Sequence, residues 1–479
     1  MTCARLRSLL VPVLMLAASC RGSSVGHAAV IAALEAEVKP SFVVAGHEPP
    51  PVTLAERMAR LDVPGLSVAV WMDDEIAWVR GFGVADVASG LVVDDHTLFQ
   101  AASISKPVAA TGALDLVEEG RLDLDADVNT SLAKWRVPDS EFTTMKKVTL
   151  RRLLSHTAGT TVGGFPGYER GAAMPDAAGV LRGAGNTAPV AVFREPGAAY
   201  QYSGGGFTIV QQMLADVTGR EFAGLMRDRV LVPAGMSEST YQQPLPEARW
   251  REAAVGYREG GSEVEGEWHV YPEQAAAGLW TTPSDLARWA MMIQRAYAGS
   301  PTEVLSPETA GAMLTGVAEH YGLGVGLSDD GLLFGHGGSN EGFRCRLQAY
   351  VDGRGGIVVM TNSDAGDRLI GPVMRTIAEA YGWPGFDPAR RTPVRLSPEA
   401  LEAVAGQFDV VALGRITFAP SDGGIEASGD RLDHPMRFYP DSVLRFFSAD
   451  DGAPLVFERE NGRVVRLVFA GRLTGRRVE

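Results

Sequence analysis

Hydrophobic and polar positions in the first part of the chain predict a helix followed by a β-hairpin. Apolar residues recur at helical spacing in TLAERMARL, residues 53–61. The apolar runs GLSVAVWM, residues 65–72, and EIAWVRGFGVAD, residues 75–86, are typical of strands, and Asp73 and Asp74 between them favour a tight turn. The pattern therefore indicates a mixed α/β domain.

Further along, the pattern predicts helices in the middle of the chain and strands near its end. FQAASISKPVAATGALDLVEEG, residues 99–120, is apolar at helical spacing, and Gly120 is a suitable helix end. FGHGGSNEGFRCRLQAYV and GGIVVMTNS are strand-like, and RLIGPVMRTIAEAYGW predicts a closing helix. Strands at both ends predict one antiparallel sheet flanked by helices, with a helical subdomain inserted between its two halves.

Changes in composition divide the chain into four parts. Residues 1–20 predict a signal peptide, because their apolar run LLVPVLMLAA is shorter than the roughly 20 residues that span a bilayer. Residues 21–51 predict a linker that contains one helix, and residues 52–390 predict the main domain. Short β-like segments with Gly and Asp turns predict a small all-β domain over residues 395–479.

The signal peptide ends in Leu-Ala-Ala-Ser-Cys, residues 16–20, which resembles a bacterial lipobox. Arg5 and Arg7 give it the basic start of an export signal. This resemblance implies lipidation at Cys20 and an exported, periplasmic protein anchored to a membrane. Ordinary cleavage after a small residue, with Cys20 incidental, is the alternative. Arg21 stands where an Asp would signal retention in the inner membrane, and this favours the outer membrane in a Gram-negative cell.

Composition excludes some classes of partner. The 479 residues are 46% hydrophobic and 21% charged, which is typical of a soluble globular protein. A net charge of −14 argues against nucleic acid, which requires basic patches. Cys345 is expected to be a small buried core residue without a disulfide partner. No metal or other cofactor is expected, since the acidic run from Asp123 lacks the Gly and Glu of a calcium-binding loop.

Ser103 and Lys106 are the first candidates for chemistry. They are three residues apart at the start of a predicted helix, so they share one face. The helix N-terminus adds positive potential, and a desolvated lysine can take the proton of a serine hydroxyl. A capping serine followed by a solvated lysine has the same spacing, so the pair permits a nucleophile and its base without requiring them.

Two later segments carry further candidates. Tyr202, in EPGAAYQYSGGGF, is either a packed aromatic residue or a phenol that transfers protons near the serine. The run His336-Gly337-Gly338-Ser339 lies on a predicted strand, where glycines often mark the close approach of a ligand or another backbone. An exposed strand edge can also offer an N–H group to an oxyanion.

Together these segments resemble the serine β-lactamase and penicillin-binding-protein superfamily, in the class C-like branch that also holds esterases and D-peptidases. The resemblance runs from about residue 52 to 385, through FQAASISKP, VEEGRLDLDADV, LRRLLSHTAG, YSGGGF, AAAGLWTTPSDLARW and FGHGGSNEGF in the family order. It implies a β-lactamase-like α/β fold. The C-terminal residues resemble the lipocalin-like β domains of some members, which implies contact with the rim of the active site.

Carried over residue by residue, the resemblance assigns the catalytic roles. It makes Ser103 the acylated nucleophile, Lys106 the general base or proton relay, and Tyr202 the proton shuttle. His156 in LLSHTAG is expected to anchor the loop after a helix rather than to act in catalysis.

The resemblance also implies a substrate-binding strand and an oxyanion hole. His336 stands where the family has the lysine of Lys-Thr-Gly, and Gly337 and Gly338 follow it. The N–H groups of Ser103 and Ser339 would form the oxyanion hole. A neutral His336 would bind a substrate carboxylate less firmly than a lysine does.

One position departs from the family pattern. The usual Tyr-x-Asn is Tyr202-Ser203-Gly204 here, so the amide that bonds the lysine and the substrate is missing. With a histidine at 336 as well, weak or no hydrolysis of β-lactams is expected. The sequence thus predicts an exported serine hydrolase that forms an acyl-enzyme with esters or with D-amino-acid amides and peptides, without an obligate protein partner. The alternative is a catalytically silent scaffold or binding protein with the same fold.

Overall fold

The computed structural model of the protein describes residues 26–47, 50–432 and 435–478. Seven antiparallel strands form its central sheet, and in chain order they are β1 (Gly65–Met72), β2 (Glu75–Asp86), β3 (Leu91–Val92), β4 (Gly326–Leu327), β5 (Leu333–Asn340), β6 (Phe343–Tyr350) and β7 (Gly355–Thr361). In space they follow the order β3-β2-β1-β7-β6-β5-β4. Because β1 pairs with β7, the sheet is built from both ends of the domain, as predicted.

The first hairpin follows directly from its turn residues. β1 and β2 pair antiparallel, and Asp73 and Asp74 between them have φ angles of 50° and 65°. Asp adopts this left-handed conformation more readily than most residues, because its short polar side chain can hydrogen-bond locally. The turn therefore fixes the register between β1 and β2, and β1 is also the strand that pairs with β7.

Helices cover the two faces of the sheet and form the inserted subdomain. In chain order the α-helices are His27–Ala36, Leu54–Arg60, Ser105–Glu118, Leu150–Leu154, Ala177–Leu181, Gly204–Thr218, Phe222–Met226, Gln274–Ala277, Pro283–Tyr297, Pro307–Met313, Asp367–Tyr381 and Pro398–Val404. Alternate residues of β1 face different clusters: Val68 and Val70 pack towards the Asp367–Tyr381 helix, and Ala69 and Trp71 towards the larger core. This is the two-residue period of a strand that is buried on both faces.

The segment predicted as a linker, 21–51, is packed in the part that the structure describes. Val30 and Leu34 on the His27–Ala36 helix are fully buried in the cluster that contains Leu369 and Ile377. The described part of this stretch is therefore packed against the main domain, and its assignment as a linker stays a prediction. Burial of this helix in the main domain explains its apolar residues, which an exposed tether would not need.

A closed eight-stranded barrel follows the main domain, as the predicted small all-β domain requires. Its strands are β8 (Gly406–Val410), β9 (Gly414–Ser421), β10 (Gly424–Gly429), β11 (Met436–Pro440), β12 (Arg445–Ser448), β13 (Pro454–Glu460), β14 (Arg463–Phe469) and β15 (Leu473–Arg477). Its core is separate from that of the main domain and includes Phe408, Phe418, Phe438, Phe446 and Phe457. Neighbouring rings, such as Phe418 and Phe457, have centroids 5.7 Å apart. The barrel interior is thus packed with aromatic side chains.

A short two-stranded ribbon joins the barrel to the main domain. Phe42–Val44 pairs in parallel with Ala389–Arg391. The Phe42 ring packs against Phe447 of the barrel, with ring centroids 5.8 Å apart. In the part of the chain that the structure describes, no hydrogen bond or ring contact joins the barrel to Ser103, Lys106, Tyr202 or His336. These contacts therefore give no support to the expectation that the barrel touches the rim of the active site.

The described residues offer neither a membrane-spanning helix nor a cluster of metal ligands. Within residues 26–47, 50–432 and 435–478, no helix has both the length and the hydrophobicity needed to cross a bilayer. The same residues contain no group of three or more His, Cys, Asp and Glu side chains arranged to hold a metal ion. Cys20, the predicted site of lipidation, lies outside the described residues.

Candidate active site

Ser103 lies on a tight turn rather than inside the predicted helix. The turn, Ala102–Ile104, is a short 3-10 segment, and the α-helix begins only at Ser105. Ala102 has a φ of 47°, which is unfavourable for a residue with a Cβ atom. Such strain persists where the surroundings hold the backbone in place, and it is frequent at functional sites.

Two hydrogen bonds at Ala101 hold this strained turn. The Ala101 N–H donates to the carbonyl of Leu279 at 2.8 Å. The Cys345 thiol donates to the carbonyl of Ala101, with Sγ and O 3.0 Å apart. Cys345 is buried as predicted, and burial raises the pKa of its thiol well above the usual range. The cysteine therefore supports the turn that presents Ser103.

Lys106 points its amino group at Ser103. Its Nζ lies 3.0 Å from the Ser103 Oγ and donates to the carbonyl of Ala276 at 2.8 Å. The side chain is only 2% exposed, and burial lowers the pKa of the amine to about 7. A substantial fraction of Lys106 is therefore uncharged at neutral pH, and an uncharged amine at this distance can accept the serine proton.

Tyr202 completes a second side of the site. Ser203 after it caps the Gly204–Thr218 helix by accepting a hydrogen bond from the N–H of Gly206 at 2.9 Å. The Lys106 Nζ lies 5.0 Å from the centre of the Tyr202 ring. Burial raises the pKa of the Tyr202 phenol to about 12, although the nearby Ser103 hydroxyl acts in the opposite direction. Tyr202 therefore keeps its proton at neutral pH and can donate it.

His156 lies behind Tyr202 and shapes the loop that carries it. Its Nδ1 accepts a hydrogen bond from the N–H of Ser203 at 3.1 Å, and its ring centroid is 4.3 Å from that of Tyr202. Burial, with Lys106 and His336 nearby, lowers the pKa of His156 well below its usual value. The ring is neutral and holds two segments together, which agrees with the anchoring role expected for it.

Gly338 on β5 lies close to the backbone of Ala101, which is the kind of close approach that the glycines of this strand predicted. A Cβ atom at this position would lie 2.3 Å from the carbonyl oxygen of Ala101 and 2.4 Å from the Sγ of Cys345. These distances are too short for any side chain. Glycine thus allows β5 to lie against the turn of Ser103.

The edge of β5 next to this turn has an available N–H group at Ser339. Asn340 and Phe343 close a two-residue hairpin, so their backbone groups pair with each other and those of Ser339 point to the opposite edge. On that edge, β4 pairs only with Phe334 and Gly335 in the part of the chain that the structure describes. The Ser339 N–H is therefore placed where it could donate to an oxyanion.

His336 and Gly337 lie on the same strand, beside Tyr202. The ring centroids of His336 and Tyr202 are 6.0 Å apart, and the His336 Nδ1 is hydrogen-bonded to the carbonyl of Gly337. Burial, together with the charge of Lys106, lowers the pKa of His336 to about 3. The histidine is neutral at neutral pH, so it supplies no positive charge at the place where the family has a lysine.

Gly204 stands where the family has an asparagine, and a phenylalanine packs against it. A Cβ atom at Gly204 would lie 2.8 Å from the Cε2 of Phe165 and 3.2 Å from the carbonyl oxygen of Gly163. The space next to this backbone is thus occupied by an aromatic side chain. Sequence reasoning missed Phe165, because a residue so far upstream carries no local signal of its contact with Gly204.

Two further groups escaped the sequence analysis. The carbonyl of Ala276 that binds Lys106 is a backbone group, and backbone contacts leave no mark on residue type. Glu273 is fully buried, and neither of its carboxylate oxygens has a hydrogen-bond partner among the described residues. Burial raises the pKa of Glu273 to about 7, so its carboxyl group is largely protonated below that pH.

A serine hydrogen-bonded to a lysine whose amine is partly uncharged at neutral pH is an arrangement suited to forming an acyl-enzyme. The comparison with protein families agrees with this class: the family model described as Beta-lactamase matches residues 53–378. The chain belongs to this family, and its fold is the β-lactamase-like α/β fold followed by a β-barrel domain.

Similar proteins include some named as penicillin-binding proteins and some named as D-aminopeptidases. Penicillin-binding protein 4 of Amycolatopsis lactamdurans is 28% identical over 371 residues, which cover 72% of this chain and 93% of that protein. D-aminopeptidase of Brucella canis is 26% identical over 343 residues, which cover 68% of this chain and 61% of that protein. The octameric penicillin-binding protein homologue from Pyrococcus abyssi has a TM-score of 0.59 and 21% identity, and covers 88% of this chain and 98% of that one. At this identity the likeness shows the fold alone.

Proposed function

We propose that the protein is an exported serine hydrolase that forms an acyl-enzyme at Ser103 with esters or with D-amino-acid amides and peptides. The observation that carries the proposal is the contact between Lys106 and Ser103, with Nζ and Oγ 3.0 Å apart and a lysine pKa of about 7. A structural lysine has no need of a depressed pKa beside a hydroxyl group, whereas a general base does.

Acylation begins with a proton transfer from Ser103 to Lys106. The serine oxygen attacks the carbonyl carbon of the substrate, and the carbonyl oxygen becomes an oxyanion. The N–H groups of Ser103 and Ser339 donate hydrogen bonds to this oxyanion. Tyr202, which holds its proton at neutral pH, donates that proton to the departing alcohol or amine and recovers one from Lys106. The bond to the leaving group breaks, and the acyl group stays on Ser103.

Deacylation uses the same groups with water as the nucleophile. Lys106, left uncharged by acylation, takes a proton from the water, either directly or through Tyr202, which passes its own proton to Lys106 as it accepts one. The hydroxide attacks the ester carbon, and the serine oxygen leaves and regains its proton from Lys106. The acid product is released and the site returns to its starting state. No group other than these side chains and the two N–H donors is needed for the cycle.

Weak or no β-lactamase activity is part of the proposal. Gly204 has no side chain to bond a substrate amide, and Phe165 packs where such a side chain would begin. A site that lacks this hydrogen-bonding group discriminates poorly in favour of substrates that need it. Penicillin is therefore expected to acylate Ser103 slowly if it does so at all.

The test is the intact mass of the protein after incubation with a fluorophosphonate probe and, separately, with a penicillin. A chain that begins at Arg21 is compared with the same chain carrying Ser103→Ala. The wild type is expected to gain the mass of the phosphonyl group, and the variant is expected to gain none. If neither reagent adds mass to correctly folded wild type, the proposal fails and the catalytically silent scaffold takes its place.

A further inference from the structure

We propose that Asn340 is a positioning residue whose side-chain amide keeps the carbonyl that holds Lys106 in register with the strand that carries the Ser339 N–H. The proposal rests on the proposed function and deepens it, because it names what fixes the general base relative to the oxyanion donor. The resemblance to the family assigns roles to the four residues before it on β5, at 336–339, and none to Asn340.

The side chain of Asn340 lies on the face of β5 that meets the candidate active site. Alternate residues of a strand point to the same side, so Asn340 shares this face with Gly338, which lies against Ala101. Asn340 is 5% exposed, and its Nδ2 donates to the Oε1 of Gln100 at 2.7 Å and to the carbonyl oxygen of Ala277 at 3.1 Å. A side-chain amide has two N–H donors, and each of them is used here on a different segment of the chain.

The orientation of both side-chain amides follows from their acceptors. The carbonyl groups of His269 and Ala277 can only accept, so an NH2 group must face each of them. The Nε2 of Gln100 donates to the His269 carbonyl at 2.7 Å, which leaves its Oε1 to accept from Asn340. Exchange of oxygen and nitrogen in either amide would place two acceptors against each other, so the network has one consistent orientation.

One end of this network fixes the carbonyl that holds Lys106. The Ala276 carbonyl accepts from the Lys106 Nζ at 2.8 Å, and the Ala277 carbonyl that follows accepts from Asn340. Only the φ and ψ torsions of Ala277 separate these two carbonyl groups, because the peptide unit between them is planar. Restraint of the second carbonyl therefore limits the directions that are open to the first.

The Ala276 carbonyl matters more in this chain than it would beside the asparagine of the family pattern. Gly204 brings no amide to the lysine, and in the described part of the chain the hydrogen bonds of the Lys106 Nζ go to Ser103 and Ala276. An amine on a flexible four-carbon stem reorients when one of so few partners moves. Ala276 is thus the group through which Asn340 acts on the base.

The other end of the network reaches the serine. Gln100 is 1% exposed and lies on the short strand Phe99–Gln100, which ends shortly before Ser103. Asn340 itself follows Ser339 directly, so the same amide is next to the residue with the expected oxyanion N–H. Asn340 therefore ties together the three segments that carry the nucleophile, the base and the oxyanion donor.

Asn362 provides a matched control, because it is a buried asparagine that also joins backbone segments. It directly follows β7 and is fully buried. Its Oδ1 accepts from the N–H of Gly65 at 2.7 Å, and its Nδ2 donates to the carbonyl of Val255 at 3.0 Å. Among the described residues, none of its hydrogen-bond partners belongs to the candidate active site. Its replacement is therefore expected to cost stability without disturbing the network of Asn340.

Asn340→Leu and Asn362→Leu are compared by urea denaturation and by the rate of fluorophosphonate labelling across the neutral pH range. Both are expected to lower the free energy of unfolding, because each leaves buried polar groups unpaired. Labelling is expected to slow about tenfold or more in Asn340→Leu and to stay within about twofold of wild type in Asn362→Leu. The pH of half-maximal labelling is expected to move by about half a unit or more in Asn340→Leu alone, since the surroundings of Lys106 change. Equal labelling rates in the two variants, or an unchanged pH of half-maximal labelling, would overturn the proposal.

A double variant separates positioning from stability. In a chain with both Gln100→Leu and Asn340→Leu, no side-chain amide of the network is left unpaired, so part of the lost stability is expected to return. Labelling is expected to stay about tenfold or more slower than in the wild type, because the Ala277 carbonyl still has no donor. A labelling rate that recovers together with stability would mean that Asn340 contributes stability alone, and the proposal would fail.

Hydrogen exchange distinguishes this inference from the proposed function. In a chain carrying Ser103→Ala, amide exchange is followed by mass spectrometry in peptides that span 99–106 and 274–281. Addition of Asn340→Leu is expected to speed exchange about tenfold in both peptides, and addition of Asn362→Leu in neither. This result supports the network even if no reagent acylates Ser103 in the wild type. Unchanged exchange in either peptide after Asn340→Leu rejects the inference, whatever the fluorophosphonate experiment shows.

Discussion

Burial sets the protonation of the two candidate proton carriers in opposite directions. Removal from water disfavours the charged form of each group, so the pKa of Lys106 falls to about 7 and that of Tyr202 rises to about 12. At neutral pH the site therefore contains a proton acceptor and a proton donor on either side of Ser103. Pairs of groups whose pKa values are separated in this way are typical of acid–base assignments in enzymes.

The pH dependence of turnover tests the role of Lys106. With a neutral ester, kcat/KM is expected to rise with pH and to reach half its plateau near pH 7, because protonated Lys106 cannot accept the serine proton and the free amine can. Lys106→Arg stays protonated, so its rate is expected to be at least about a hundredfold lower across this range. A half-point near the ordinary lysine pKa, or wild-type rates in the arginine variant, would show that another group is the base.

Patterns of neighbouring residues predicted the elements better than the contacts between them. The hairpin, the sheet built from both ends and the Ser103–Lys106 pair follow from spacing and turn residues. The start of the helix at Ser105 does not, because the strained turn before it depends on the hydrogen bonds of Ala101 with the Leu279 carbonyl and the Cys345 thiol. The identity of Gly338 indicated a close approach, but only the fold shows that Ala101 is what approaches.

Replacement of Gly338 tests the contact between β5 and the Ser103 turn. Gly338→Ala places a Cβ atom 2.3 Å from the carbonyl of Ala101, so the turn or the strand must move. We expect the free energy of unfolding to fall by about 1–3 kcal/mol, as for other overpacked sites, and labelling by the fluorophosphonate to slow. Urea denaturation and the labelling rate measure the two effects.

Gly337→Ala is the matched stability control for that experiment. Its Cβ atom would meet no atom nearer than 3.8 Å, so no loss of unfolding free energy from a clash is expected. Equal destabilisation by the two substitutions would mean that the conformational freedom of glycine, rather than the close approach to Ala101, explains the effect.

At the scale of the whole molecule, the barrel was predictable and its relation to the main domain was not. Short alternating segments predicted a small all-β domain, and the closed barrel agrees with that. The burial of Val30 and Leu34 could not be predicted, because it depends on a helix that is far away in the sequence, Asp367–Tyr381. Similarly, no local pattern indicated that Phe42 packs against Phe447.

Phe42→Ala tests how much the joint between barrel and main domain depends on this contact. Phe42 is 7% exposed, and its truncation is expected to lower the free energy of unfolding by about 3 kcal/mol. Val43→Ala is the control, because alternate residues of a strand point to opposite sides and Val43 is only partly buried. Chemical denaturation of the full chain measures both. Similar losses in the two variants would show that the ring contact with Phe447 contributes little.

The pairing of Phe42–Val44 with Ala389–Arg391 limits rotation of the barrel relative to the main domain. Only Ala389–Arg391 leads along the chain into the barrel, and an unpaired extended segment could rotate about its own φ and ψ bonds. Its backbone hydrogen bonds to Phe42–Val44 restrict that rotation. The connection between the barrel and the main domain is therefore more rigid than a single unpaired segment would be. Because Phe42 also packs against Phe447, a segment that precedes the main domain in the chain restrains the barrel, and cleavage of the backbone within Phe42–Val44 is expected to loosen that restraint without altering the barrel itself.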